Sequence, residues 1–269
     1  MLSGMDRRIG LALFLVAIFG AEPVRADDAW IDSHRGRVFQ YRSEFRVDSE
    51  PLIKQLDALK RDVESTLAIR SSGPIQLNLF RNRTTYMHHI GQRHPEGMQR
   101  RALFVKGPDL SRVYVYRQLS IETDIRHEST HAVLHNALPY LPLWLDEGLA
   151  EYFEVPATQR AGKNPHHSRL KWSIRFGWSP SLQKLEQRDG LTDIKSADYR
   201  ESWAWVHFML HGPKAAKSVL VQYIKDIQSE NPPGRLSTRM HKALPNANAQ
   251  LVHHIKTWKS PKGPISKHQ

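Results

Sequence analysis

The stretch "HESTH" at His127–His131 constrains the fold more than any other feature of this 269-residue chain. It lies within "IRHESTHAVLHNAL", where Ile125, Thr130, Val133, Leu134 and Leu138 give a helix an apolar side. Two histidines four positions apart project from one face of a helix and can share a metal ion. Glu128, beside the first histidine, can reach a metal-bound water as general base. His135 continues the spacing, but it lies about 12 Å along the axis from His127 at 1.5 Å per residue. One helix cannot fold three imidazoles round one ion. A third ligand therefore has to come from another element, unless the histidines merely form the polar, solvated face of an ordinary helix.

The segment "WLDEGLAEYFE", after the break "LPYLP", reads as a second helix and offers Asp146, Glu147, Glu151 and Glu154 as candidate third ligands. A catalytic zinc needs three protein ligands and an open position for water. A metzincin arrangement would need glycine at 134 and histidine at 137, where this chain has Leu134 and Ala137. That arrangement fails.

Upstream, "FQYRSEFRV" (Phe39 to Val47) alternates as a half-buried strand does, through Phe39, Tyr41, Phe45 and Val47. A helix follows from a possible Ser49 cap and Pro51, with Leu52, Leu56, Leu59, Val63 and Leu67 on one stripe. "PIQLNLF" is a strand ending at Phe80, and Thr84 to Gln92 is a short helix. "RALFV" (Arg101 to Val105) and "RVYVY" (Arg112 to Tyr116) are strands joined by a turn at "GPD". This β-α-β-α-β-β order describes an α/β lobe leading into the histidine helix. Beyond Glu154 the pattern is helical at about Tyr199 to Leu210, Lys214 to Ile227 and Ala247 to Trp258, and "SPKGPISKHQ" reads as a disordered basic tail.

The first residues have the form of a secretory signal peptide. Arg7 and Arg8 precede an apolar run from Ile9 to Phe19, and "VRA" ends at Ala26, giving a cut before Asp27. The chain has no cysteine, so an exported product relies on its core or a bound metal rather than disulfides. The expected location is periplasmic or secreted, soluble after signal cleavage, with no stable membrane insertion. The net charge is +12, and Val155 to Leu185 has no acidic residue. Arg160, Lys163, Arg169, Lys171, Arg175 and Lys184 stand there with Trp172, Phe176 and Trp178 interleaved. This reads first as a solvated basic face and second as a site for an anionic polymer. The doublets His88-His89, His166-His167 and His253-His254 are expected at the surface, because adjacent side chains point apart.

"HESTH" followed by "WLDEGLAEYFE" resembles the gluzincin metallopeptidases, in which the glutamate of a W-L-x-E-G-x-A motif completes a zinc site. The likeness is strongest to the small peptidase-MA-like proteins (the DUF1570 type), distant relatives of the M1 aminopeptidases. The resemblance implies His127, His131 and Glu147 as ligands of Zn2+, Glu128 as the base and Glu151 as a supporting carboxylate. "YRESWAWVHFML" is similar to the M1 helix whose leading tyrosine stabilises the oxyanion, with Ser202 in place of the usual glycine, so Tyr199 is the implied oxyanion donor.

The implied fold is α+β. A zincin-like lobe, with a small mixed sheet packed on the HExxH helix, precedes a mainly helical C-terminal lobe. The implied division is 1–26 signal peptide, 27–139 α/β lobe with the histidine helix, 140–259 helical lobe carrying the third ligand, and 260–269 tail. The implied activity is hydrolysis of a peptide or protein substrate by a Glu-activated, zinc-bound water, with the substrate added as a strand along Arg101 to Val105. The chain lacks the G-x-M-E-N strand that grips a free amine, which favours an endopeptidase over an aminopeptidase. Nucleic acid is not expected as the main partner. The alternative is a non-catalytic zinc-bearing envelope protein that binds an acidic peptide or anionic polymer.

Overall fold

The computed structural model describes residues 30–162, 164–188, 190 and 193–259. The expected signal segment (1–26) and tail (260–269) lie outside the described residues. Strands β1 (Asp32–His34), β2 (Phe39–Ser43), β3 (Ile75–Phe80), β4 (Ala102–Lys106) and β5 (Ser111–Tyr116) form one mixed sheet in the order β1-β2-β3-β5-β4. The pairs β2–β3 and β3–β5 are parallel, while β1–β2 and β4–β5 are antiparallel. β4 therefore stands at an edge.

Helix α1 (Ser49–Leu67) crosses between the parallel strands β2 and β3 and buries Leu56, Leu59, Val63 and Leu67, the stripe expected from its spacing. Alternation within the strands separates two cores. Phe104, Val113 and Val115 point to the face shared with α1 and the histidine helix α3 (Ile121–His135). Leu103, Val105 and Tyr114 point to the other face, under α2 (Arg83–Arg93). The sheet is thus covered on both sides.

Three boundaries differ from the sequence reading for local reasons. The strand beginning at Phe39 stops at Ser43, whose hydroxyl donates to the Phe45 carbonyl at 2.6 Å and turns the chain. β1 is too short and polar for periodicity to reveal. Ser49 is not the cap of α1, because the helix already includes it and Asp48 holds the cap position.

Past α4 (Leu143–Phe153), the regular elements among the described residues are all helical. They are α5 (Ala157–Arg160), α6 (Pro165–Arg175), α7 (Leu182–Leu185), α8 (Ser196–His211), α9 (Lys214–Gln228), α10 (Leu236–Ala243) and α11 (Ala247–Thr257). α8 starts a turn before Tyr199, where the Asp198 side chain accepts from the Lys195 backbone N–H at 2.8 Å. Within the basic stretch, Arg169, Lys171, Arg175 and Lys184 are exposed, as a solvated face requires. Arg160 is instead buried, 2.7 Å from Asp62 and over the Phe153 ring. No helix among the described residues is long and apolar enough to cross a membrane.

Candidate metal centre

Helix α3 carries Glu122 and Asp124 in its first turn, where carboxylates favour the positive end of the helix dipole. Every residue from Asp124 to His135 is buried, between β4, β5, α1 and α4. The solvated-face alternative for the histidines therefore fails. Phe104 of β4 stacks on the His131 ring, with centroids 6.3 Å apart and planes within 15°.

The ligand atoms of His127, His131 and Glu147 all lie within 4.8 Å of one another. Glu147 Oε2 is 3.5 Å from His127 Nε2 and 3.8 Å from His131 Nε2, too far for good hydrogen bonds. All three atoms are buried and without a hydrogen-bond partner. Buried polar atoms are rarely left so, because each loses its water and gains nothing in return. Two imidazole nitrogens and a carboxylate oxygen form a donor set suited to a transition metal, so the residues fit the group the motif implies.

The remaining carboxylates of this region lie beside histidine rings. Glu154 Oε2 lies 3.1 Å from His127 Nδ1, and Asp146 Oδ1 lies 2.9 Å from His131 Nδ1. Glu154 thus holds His127 Nδ1 through a hydrogen bond, while Asp146 stands beside His131 Nδ1 without one, and each histidine turns its Nε2 to the shared point. A carboxylate behind the ring is what orients metal-binding imidazoles. The second Asp146 oxygen is 3.2 Å from His135 Nε2, so His131, His135 and Asp146 form another possible donor group that shares His131. Glu151 Oε2 is 2.6 Å from His166 Nε2 of α6. Of the four candidate carboxylates, only Glu147 lies between the two Nε2 atoms.

Electrostatics follow from burial. Burial works against a charged Glu128 and raises its pKa, His127 and His131 oppose that, and Glu147 and Asp124 add to it. Glu154 is pushed up to about 7 by burial and by neighbouring Glu151. Burial, then Glu147, raises the pKa of Tyr199, which keeps its proton. Glu128 Oε2 and the Tyr199 hydroxyl are both buried without partners.

The histidine doublets split between inside and outside. His166 and His254 are buried, His89 and His167 are half-buried, and His88 and His253 are exposed. Neighbouring side chains do point apart, but one direction leads into the protein. Sequence reasoning also missed Arg100, which electrostatics ties to Tyr199 and Glu128, and Tyr86, which it ties to Glu128; neither stands in a motif.

No family model matches the chain, so the likeness to the peptidase-MA-like type has no such match behind it. No curated protein matches it either. Among solved structures, the chain is similar to an M1 zinc metallopeptidase from Deinococcus radiodurans, at 14% identity and a TM-score of 0.46. That match covers 87% of this chain and 52% of the other. A mutant of the M1 zinc metallopeptidase from the same organism aligns at 14% identity, a TM-score of 0.45 and the same coverage, 87% and 52%. The chain spans about half the length of these proteins, and the likeness assigns no residue.

Proposed function

We propose that this chain is a zinc-dependent metallopeptidase in which His127, His131 and Glu147 hold the metal and Glu128 is the general base. The observation that carries the reading is the convergence of three buried, partnerless donor atoms, His127 Nε2, His131 Nε2 and Glu147 Oε2, beside a partnerless Glu128 oxygen. A bound zinc supplies Lewis acidity and lowers the pKa of its water toward ~7.

The protein's own groups do the rest. Glu128 takes the proton released as water attacks a peptide carbonyl and delivers it to the departing amine. The Tyr199 hydroxyl donates to the carbonyl oxygen as negative charge develops there. β4 stands at the sheet edge, and its backbone is available to align an extended peptide as an added strand. Strand addition suits an internal segment of a peptide, and an endopeptidase is the favoured form. Export to the envelope, and the division into an α/β zincin lobe and a helical lobe carrying Glu147, belong to the same proposal.

Glu128→Gln tests the reading. The amide keeps the shape but accepts no proton, so zinc content should match the wild type while hydrolysis falls by orders of magnitude. Substrates come from a diverse peptide library read by mass spectrometry of the cut ends. A wild-type protein that holds zinc and cuts nothing would sink the peptidase reading in favour of a non-catalytic zinc protein.

A further inference from the structure

Two arginines precede β4, and the fold treats them differently. Arg101 Nη2 lies 2.8 Å from Asp124 Oδ1, so its charge is answered by a buried carboxylate. Asp124 is itself held by Gln118 at 2.6 Å and Ser120 at 3.1 Å. Arg100 is only 7% exposed, yet its Nη1 has no hydrogen-bond partner, and it forms no ion pair among the described residues. Its backbone N–H donates to the Gly97 carbonyl at 2.9 Å, which fixes the residue at the entrance to the edge strand.

A guanidinium stays charged in a protein, so this is a buried cation lacking a contact anion. The groups that interact with its charge are Tyr199, Glu147 and Glu128 of the candidate site, and Tyr86 of the core under α2. The hydroxyls of Tyr86 and Tyr199 are also buried without partners. Arg100 and the Tyr86 and Tyr199 hydroxyls are thus buried donors with no acceptor committed to them. Glu147 already lies between two histidines, and Glu128 has to remain free to take a proton. What is missing is an acceptor that arrives from outside.

We propose that Arg100 binds a carboxylate of the substrate, so that the cleft selects peptides with an acidic group next to the bond that is cut. The planar fork of a guanidinium matches both oxygens of a carboxylate. A peptide aligned on β4 would pass Arg100 at the end of the strand. The carboxylate belongs to an Asp or Glu side chain or to the peptide's own C-terminus. This inference rests on the peptidase reading for its substrate, but not for its anion site.

Matched peptides test it. One set exchanges Glu for Gln, and Asp for Asn, at each position flanking the cut; the other compares a C-terminal acid with its amide. Wild type should favour the carboxylate member by on the order of 100-fold in kcat/KM, as expected for a buried charge pair. In Arg100→Gln that ratio should collapse toward one, and Arg100→Lys, which keeps charge without the fork, should fall between. The set that responds names the source of the carboxylate. A wild-type ratio within about twofold of one, or a ratio unchanged in Arg100→Gln, overturns the proposal and leaves Arg100 as a background charge. Circular dichroism checks folding; if Arg100→Gln does not fold, the wild-type ratio and the Lys variant decide.

Calorimetry on zinc-loaded Glu128→Gln protein gives a readout without turnover, using acetyl-Ala-Ala-Glu-Ala-Ala-amide and its Gln counterpart, and acetyl-penta-alanine as acid or amide. If wild type cuts no peptide while the Glu128→Gln protein binds the carboxylate member in an Arg100-dependent way, the peptidase reading falls and this one stands. Cutting without acidic preference does the reverse.

Discussion

Gly148 of α4 lies so close to Ser202 of α8 that a β-carbon on the glycine would sit 2.8 Å from the Ser202 carbonyl oxygen and 3.0 Å from Val206 Cγ2. The two helices pack more extensively than any other helix pair among the described residues. Glu147 is the residue before this contact and Tyr199 lies one turn before Ser202, so the crossing brings the candidate ligand and the candidate oxyanion donor to the same site. The small residue at the closest approach belongs to α4, and α8 contributes its backbone, which is why serine serves at position 202.

Gly148→Ala should therefore destabilise the protein by about 1–3 kcal/mol, the usual range for overpacking a tight core. Thermal denaturation of metal-loaded protein measures this. An unchanged midpoint would mean that the helices part without cost.

Metal content separates the two donor groups that share His131. Glu147→Ala and His131→Ala should each lose the zinc that wild type holds, and thermal stability should fall with it. His135→Ala should retain it, because His135 belongs to the other donor group, with Asp146, and not to the one that contains Glu147. The opposite result, loss in His135→Ala and retention in Glu147→Ala, would move the metal to His131, His135 and Asp146. Glu154→Gln, at the far side of His127, should weaken zinc binding by roughly 10- to 100-fold without abolishing it.

Tyr199→Phe keeps a fully buried ring and removes a hydroxyl that bonds to nothing in the free protein. Folding and zinc content should barely change. Turnover should fall roughly 100- to 1000-fold, on kcat rather than KM, since the bond forms only as charge develops. Unfolding, or an intact kcat, would make the residue structural.

A histidine pair outside the candidate metal centre should set an acid limit. His207 Nδ1 lies 2.9 Å from His254 Nε2, and only one of the two nitrogens can supply the proton. Burial, then His211 and His254, pushes the His207 pKa down to about 2; burial, then His211 and His167, pushes His254 down to about 4. Both lie below the unfolded value of about 6.5, so below that pH the unfolded chain binds more protons. Their contribution is complete above pH ~6.5 and is lost as pH falls toward 4 and then 2, by up to about 1.4 kcal/mol per pH unit for His207. Denaturant titrations at pH 7 and pH 5 should show a smaller loss in His207→Gln than in wild type. An equal loss would place the acid sensitivity elsewhere.

Features that depend on neighbours a few residues away could be read from the residues alone. The four-residue step from His127 to His131 places both on one face of any helix, and the Leu56–Leu67 stripe sets the buried side of α1 because helical period is a local property. Most of the longer strands and helices were legible for the same reason. α5 and α7 were not, since four residues are too few to show a helical repeat, and α6 and α10 were not read either. The assembled fold alone settled the strand order, with β4 outside β5. Only it distributed four similar carboxylates, setting Glu147 between two Nε2 atoms, Asp146 and Glu154 behind the rings and Glu151 against His166. It also decided that Arg101 meets Asp124 while its neighbour Arg100 is buried without a counter-ion. Those outcomes depend on which distant backbones come within a few ångströms, and a carboxylate or guanidinium looks the same in sequence whichever partner it meets.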